Sequence, residues 1–285
     1  MTGVLLSFGH GYSAQALSPF LVEKGWKVFG TTRMQENLAG IIASGAEPVL
    51  WPSTDIETYL DQATHLLIST APDEAGDPVL NALSDQIATR RDQFKWVGYL
   101  STTGVYGDHQ GGWVDEKTTL NPATTRGMWR VQAEKNWQDM GLALHIFRLA
   151  GIYGPGRGPF SKLKNGTARR IIKKHQVFSR IHVDDIAQVL AASIAKPSVG
   201  SIYNVCDDLA APPEDVITYA AECLSVPIPV GEDFETAKMS AMARSFYSES
   251  KKVSNAKIKQ NLKLVLKYPD YKSGLDALLT GSGKN

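Results

Sequence analysis

Gly9-His10-Gly11-Tyr12-Ser13-Ala14 is a pattern whose chemistry lies in its backbone. Two glycines around one residue permit a tight turn and let main-chain N–H groups approach a pyrophosphate. The small Ala14 lets strand and helix pack closely. Alone the motif says little, but here it follows the apolar run Val4–Phe8 and opens an amphipathic segment, the setting of a dinucleotide-binding loop. The expected contacts are Gly9, Gly11, Tyr12, Ser13 and Ala14. A second apolar run ends Thr31-Thr32-Arg33. An acid there would hold ribose hydroxyls and repel a 2′-phosphate; Thr32 does not, and Arg33 can pair with one, so NADP(H) is expected over NAD(H). A third feature is an acid-free stretch from Arg157 to Arg180 with six further cations: Lys162, Lys164, Arg169, Arg170, Lys173 and Lys174. It suits an anionic substrate, the alternative being a solvated basic loop. The sequence lacks a nucleophile elbow, a Walker P-loop and a His-Glu-x-x-His motif. Its two cysteines, Cys206 and Cys223, are too few for a multi-cysteine metal centre, so no metal is expected.

The elements that must carry these residues follow from hydrophobic patterning. Apolar runs at Val4–Phe8, Lys27–Thr32, Pro48–Leu50, Leu66–Thr70, Trp96–Ser101, Ala143–Leu149 and Ser201–Val205 alternate with helical segments such as 12–24, 122–140 and 186–195. Near-continuous apolar strands separated by helices predict a parallel sheet covered on both faces. The breaker cluster Gly154-Pro155-Gly156-Arg157-Gly158-Pro159 interrupts this alternation, and beyond Asp208 helices dominate. The expected fold is α/β: a Rossmann doubly wound parallel sheet with a small, mostly helical C-terminal substrate lobe. Residues 1–155 with 176–206 form the first body, and 156–175 with 207–285 the second. The chain has 285 residues, of which 43% are hydrophobic and 21% charged, enough for a sizeable core. Thirty basic against 29 acidic residues give no global field for nucleic acid or membranes. No apolar run is long enough to span a bilayer, and the N-terminus lacks a basic leader region, so a cytoplasmic location is expected.

Four further segments, in order, carry a resemblance. Leu100-Ser101-Thr102-Thr103-Gly104-Val105-Tyr106-Gly107, Arg148-Leu149-Ala150-Gly151-Ile152-Tyr153-Gly154-Pro155, Ile181-His182-Val183-Asp184-Asp185 and Tyr203-Asn204-Val205 resemble the motifs of extended and atypical short-chain dehydrogenases/reductases, the NAD-dependent epimerase/dehydratase-like family. With the glycine loop the likeness runs from residue 4 to residue 205. It implies that Thr102 is the hydroxyl that bonds a substrate oxygen. Ser69, Thr70 and Ala71 would line the adenine–ribose and pyrophosphate side, and Ser101 and Ala150 would lie at the cofactor. Asp184 and Asp185 would cap the following helix, and His182 would be a packed, hydrogen-bonded side chain. The resemblance also allows a homodimer through the helices holding 77–91 and 122–140.

The departure is at the family's Tyr-x-x-x-Lys pair. Aligned on Pro122 and Glu134, those positions are Arg126 and Arg130. Arginine stays protonated and cannot serve as a general acid or base. Tyr106 and Tyr153 are the remaining candidates to move a proton, with Arg126 and Arg130 as binders of substrate anion and cofactor. The dehydratase Asp-Glu pair is replaced by Thr103-Gly104, which disfavours sugar-nucleotide dehydration. Arg126, Arg130 and Glu134 also form a helical stripe that would ordinarily be a solvated, salt-bridged face. A second acid-free run (Lys251, Lys252, Lys257, Lys259, Lys263, Lys267) reads as one solvated helix surface. The expected function is an NAD(P)-dependent oxidoreductase or epimerase acting on a secondary alcohol or ketone. The alternative is a non-catalytic NADP(H) sensor resembling the NmrA-like regulators. Nucleic-acid binding is not expected, because no aromatic stacking platform accompanies the basic runs.

Overall fold

The computed structural model describes residues 2–52 and 56–281. Seven strands make one sheet: β1 (Val4–Phe8), β2 (Lys27–Thr32), β3 (Glu47–Leu50), β4 (His65–Ile68), β5 (Trp96–Thr102), β6 (Leu144–Leu149) and β7 (Ile202–Val205). All adjacent pairs are parallel, in the spatial order β7-β6-β5-β4-β1-β2-β3. The order reverses between β1 and β4, which opens a crevice beyond their carboxyl ends.

Helices cover both faces, which explains the unbroken apolar strands. On one face α1 (Tyr12–Val22), α2 (Leu38–Ala43) and α7 (Val183–Ala195) bury Leu17, Ile41 and Ile186 against Leu5, Val28 and Phe147. On the other, α3 (Ile56–Gln62), α4 (Pro78–Thr89) and α5 (Thr125–Asp139) bury Leu60, Leu83 and Trp137 against Leu6, Phe29 and Ile146. Successive residues Leu5 and Leu6 thus serve opposite cores, as strand geometry requires. Caps fix where helices begin. Asp77 Oδ1 accepts the N–H groups of Val79 and Leu80, and its Oδ2 accepts Trp137 Nε1–H at 3.1 Å, joining α4 to α5. Thr124 Oγ1 accepts Gly127 N–H at 3.1 Å, so α5 starts three residues later than the pattern suggested.

The lobe holds α6 (Pro159–Lys164), α8 (Pro213–Cys223), α9 (Ala241–Ser245) and α11 (Tyr271–Gly281). It also contains parallel ribbon pairings that the sequence reading did not anticipate: Gly151–Tyr153 with Arg180–His182, and Arg170–Ile172 with Gly231–Asp233. Its core is Tyr153, Ala211, Val216, Ala220, Tyr271 and Leu275. Part of the chain expected in the lobe returns to the sheet. Lys252–Val253 pairs with Trp113–Val114, and Val253, Ile258 of α10 (Ala256–Leu262) and Leu266 join the core containing Leu5.

Two expectations are corrected here. The lysine run from 251 is not one solvated helix surface: Lys251 is buried, with Nζ 2.7 Å from Gly107 O and 2.6 Å from Glu249 Oε2, and α10 begins only at Ala256. Nor do Asp184 and Asp185 cap α7. His182 Nδ1 accepts Asp184 N–H at 3.2 Å, while Asp185 accepts the N–H groups of Lys267 and Tyr268, tying the box to the segment before α11. Burial lowers the pKa of His182, in keeping with an imidazole that accepts this bond. Among the described residues no helix is long and apolar enough to cross a membrane.

Candidate functional site

A cleft of about 1430 Å³ runs from the glycine loop along the carboxyl ends of β4 and β5 into the lobe. The loop's geometry follows from its two glycines. Gly9 has φ +71°, and a Cβ there would meet Thr70 Cγ2 at 2.9 Å, so only glycine fits between the strand ends. Gly11 is the N-cap of α1 in extended conformation. A Cβ on it would find only Gly9 O at 3.8 Å, so that position opens into the cleft at a helix N-terminus. This cradle fits a pyrophosphate.

Neighbouring polar groups hold the loop rather than face it. Ser69 Oγ donates to Gly9 O at 2.5 Å, Gly9 N–H donates to Thr31 Oγ1 at 3.0 Å, and Gln15 Nε2 donates to His10 O at 3.0 Å. His10 Nε2 shares a hydrogen bond with Ser18 Oγ at 3.0 Å, and burial pushes its imidazole down to about 4, so the ring is neutral near pH 7. Ala14 is buried beneath the loop, and Ser13, also buried, lines the cleft. Tyr12 lines it too. Its hydroxyl donates to Pro155 O at 3.0 Å, and Arg157 lies over its ring at 5.5 Å.

The structure divides the remaining cofactor positions. Arg33 is exposed at the cleft with no bonded partner among the described residues. Thr32 does not line the cleft: its Oγ1 accepts Met34 N–H at 3.2 Å and closes the turn after β2. Ala71 and Ala150 line the cleft. Thr70 does not; it packs on Gly9 and offers its carbonyl to Arg130.

On α5, Arg130 is half-buried and clamped at the strand ends. Its Nη1 donates to Leu100 O at 2.8 Å, Tyr99 Oη at 3.0 Å and Thr70 O at 3.2 Å. Arg126, one turn earlier, is exposed, lines the cleft and has no partner among the described residues. Glu134 is buried. Its Oε1 accepts Arg148 Nε at 3.1 Å and the Ser101 hydroxyl at 2.5 Å, and its Oε2 accepts Arg148 Nη2 at 2.7 Å. Arg130 and Glu134 therefore face inward and the exposed Arg126 faces the cleft, so the stripe is not a solvated, salt-bridged surface. Ser101 spends its hydroxyl on this pair, while Thr102 Oγ1 accepts Gly104 N–H at 3.1 Å and keeps its own proton for the cleft it lines.

The two tyrosines proposed to move a proton are committed elsewhere. Tyr106 is fully buried outside the cleft; its hydroxyl donates to Asn204 Oδ1 at 2.6 Å and accepts Arg148 Nη1 at 3.0 Å. Burial pushes its pKa up to about 12. This corrects its reading as an acid/base. Tyr153 borders the cleft, but its hydroxyl donates to Asp270 O at 3.3 Å, and burial raises its pKa further. Arg180, at the end of the basic stretch expected to meet an anionic substrate, lines the cleft; sequence reasoning missed Glu249 and Lys251, which line it too. For Lys251 the only signal was the lysine run that it opens, and Glu249 had none.

No protein-family model matches the chain. It is 62% identical to a conserved Silicibacter pomeroyi DSS protein described as functionally unknown, at TM-score 0.95, covering 98% of this chain and 99% of that one. Protein YeeZ of Escherichia coli K12 is 28% identical over 212 residues, which are 70% of this chain and 75% of YeeZ. The UDP-glucuronic acid 4-epimerase of Bacillus cereus, solved with NAD, superposes at TM-score 0.77 with 15% identity, covering 97% of both chains.

Proposed function

From the premise that this chain belongs to one family with the Silicibacter pomeroyi protein and has the fold of NAD-dependent epimerase/dehydratase-type short-chain dehydrogenases/reductases, we propose that it is a nicotinamide-dinucleotide-dependent oxidoreductase or epimerase. The observation that carries this reading is the pairing of the Gly9–Gly11 cradle with an arginine clamped at the neighbouring strand ends. The cradle would hold the pyrophosphate, and Arg33 a 2′-phosphate, which favours NADP(H). A bound dinucleotide would supply or take up hydride at a carbon bearing a secondary alcohol or ketone. Thr102 would donate a hydrogen bond from its hydroxyl to the substrate oxygen. Arg130 occupies the position of the family's lysine and binds rather than exchanges protons. Arg126 offers an unpaired guanidinium to an anionic group of the substrate.

One observation favours a second reading, a dinucleotide-binding sensor without chemistry: both candidate tyrosine hydroxyls are committed to internal acceptors. Titration with NADPH, NADP+, NADH and NAD+, read by tryptophan quenching, comes first. Binding of both NADP forms, followed by loss of 340 nm absorbance with a ketone panel, supports the enzyme. A preference of about tenfold (1.4 kcal/mol) between NADPH and NADP+ without turnover supports the sensor. Failure of all four to bind at millimolar concentration overturns both.

A further inference from the structure

The glycine loop, Arg33 and Arg130 account for the sheet side of the cleft; the lobe side has a different chemistry. Phe178, Ile217, Met242, Phe246, Tyr247 and Leu275 line it. Phe246 is 62% and Met242 55% exposed, an unusual concentration of large apolar surface at a cleft wall. Tyr247 is held edge-on to Phe178 at 5.7 Å and leans on Phe234 at 5.3 Å, so the wall is braced. Among these apolar groups lies Arg180. Its Nη1 donates to Phe178 O at 2.8 Å and Ala211 O at 3.0 Å. Its Nε and Nη2 have no partner, and no carboxylate lies within ion-pair distance among the described residues.

Two acids interact with Arg180 across space without pairing with it, Asp207 and Glu214. Asp207 is buried, its Oδ2 has no partner, and burial pushes its carboxyl up to about 8, so it is mostly protonated near neutral pH. Arg180 is thus a half-buried cation without an ion-pair partner among the described residues, and an anionic ligand can supply one. A polyhydroxylated sugar would lose water against this wall and regain few hydrogen bonds, whereas a hydrocarbon or aromatic body loses nothing there.

We propose that the lobe side of the cleft binds an amphipathic anion, with a carboxylate or phosphate head on Arg180 and an aliphatic or aromatic body against Met242, Phe246 and Tyr247. This deepens the oxidoreductase reading by naming its substrate class. The binding itself rests only on the lobe wall and not on the glycine loop.

The test titrates full-length protein with decanoate, decyl phosphate, decanol, acetate and UDP-glucose by calorimetry, below micelle-forming concentrations. Decanoate or decyl phosphate should bind about tenfold or more tightly than decanol, acetate and UDP-glucose. Whichever of the two binds better names the head group, and either result supports the proposal. Arg180→Met should remove that preference over decanol. Met242→Ser with Phe246→Ser should weaken the amphiphile about tenfold or more. Both serine positions are exposed, so this variant stays informative if Arg180→Met fails to fold. UDP-glucose binding more tightly than both amphiphiles, amphiphile affinity unmoved by the serine variant, or no amphiphile binding at all overturns the proposal. NADPH titration of the same samples keeps the two readings separate: nucleotide binding without amphiphile binding sinks only this inference, and the reverse sinks only the cofactor assignment.

Discussion

The two sides of the cleft differ in how their polar groups are used. At the sheet ends the groups that shape the strand ends are matched within the protein: Ser69 on Gly9, Ser101 and Arg148 on Glu134, and Arg130 on three oxygens, while the exposed Arg33 and Arg126 reach the cleft unpaired among the described residues. On the lobe side Arg180 keeps two nitrogens free and Asp207 an unpartnered oxygen, with large apolar side chains exposed beside them. Matched groups preorganise a site before any ligand arrives, as a phosphate cradle requires. Unmatched groups mark where the ligand itself must complete the structure. One half of the cleft is therefore finished by folding and the other by binding.

Removing a matched partner should have the largest effect. Glu134→Ala strands Arg148 in the core and should cost about 3–5 kcal/mol, read as the shift in urea or thermal unfolding. A loss under about 1 kcal/mol would mean that the network does not hold the sheet ends together. Next comes the unmatched side. Asp207 has a folded-state pKa of about 8 against an ordinary 3.8. The folded chain thus keeps a proton that the unfolded chain releases above about pH 4. That stability is full below pH 4 and is lost as pH rises through 8, by on the order of a few kcal/mol. Asp207→Asn should flatten the slope of stability over this window. A wild-type curve already flat from pH 5 to 8 would show that Asp207 is ionised and pairs with Arg180.

Smaller effects should separate the two glycines. Gly9→Ala forces a side chain into φ +71° against Thr70 and should cost about 1–2 kcal/mol of stability. Gly11→Ala adds its methyl to open space and should leave stability within about 0.5 kcal/mol. It should nevertheless weaken dinucleotide binding about tenfold or more, because the methyl sits where phosphate must approach. Full retention of nucleotide affinity in Gly11→Ala would remove the cradle from the site.

How far the sequence reveals this division depends on the range of the contacts involved. The sheet is legible because strands buried on both faces, such as Trp96–Thr102, are apolar throughout. The glycine loop is legible because turn, strand and helix start are all local. Contacts between distant segments are not. Tyr106 and Tyr153 look available until their acceptors, 98 and 117 positions away, are in place. Glu134 reads as part of a surface stripe because a helical wheel gives the face but not the Arg148 that meets it from β6. The lysine spacing from 251 mimics a helix, while the chain there is first a strand paired with Trp113–Val114. The lobe wall is the least legible part, since its residues come from separate short elements.

The smallest expected effect is also the sharpest on the sheet side. Arg33 is exposed, makes no bond among the described residues and stands at the cleft where β2 ends. Its replacement by alanine should therefore leave folding stability within about 0.5 kcal/mol. If it reads a 2′-phosphate, Arg33→Ala should lower the ratio of NADP+ to NAD+ affinity about tenfold, or 1.4 kcal/mol, by weakening NADP+ alone. The contact is solvent-facing, so the wild-type ratio should also shrink as salt rises, and the variant's ratio should not. An equal loss for both nucleotides would make Arg33 a general phosphate contact, and no loss for either would leave the choice of nucleotide to another part of the cleft. The second result would confine preorganised recognition to the loop between β1 and α1, moving the boundary between the finished and unfinished halves to the end of β1.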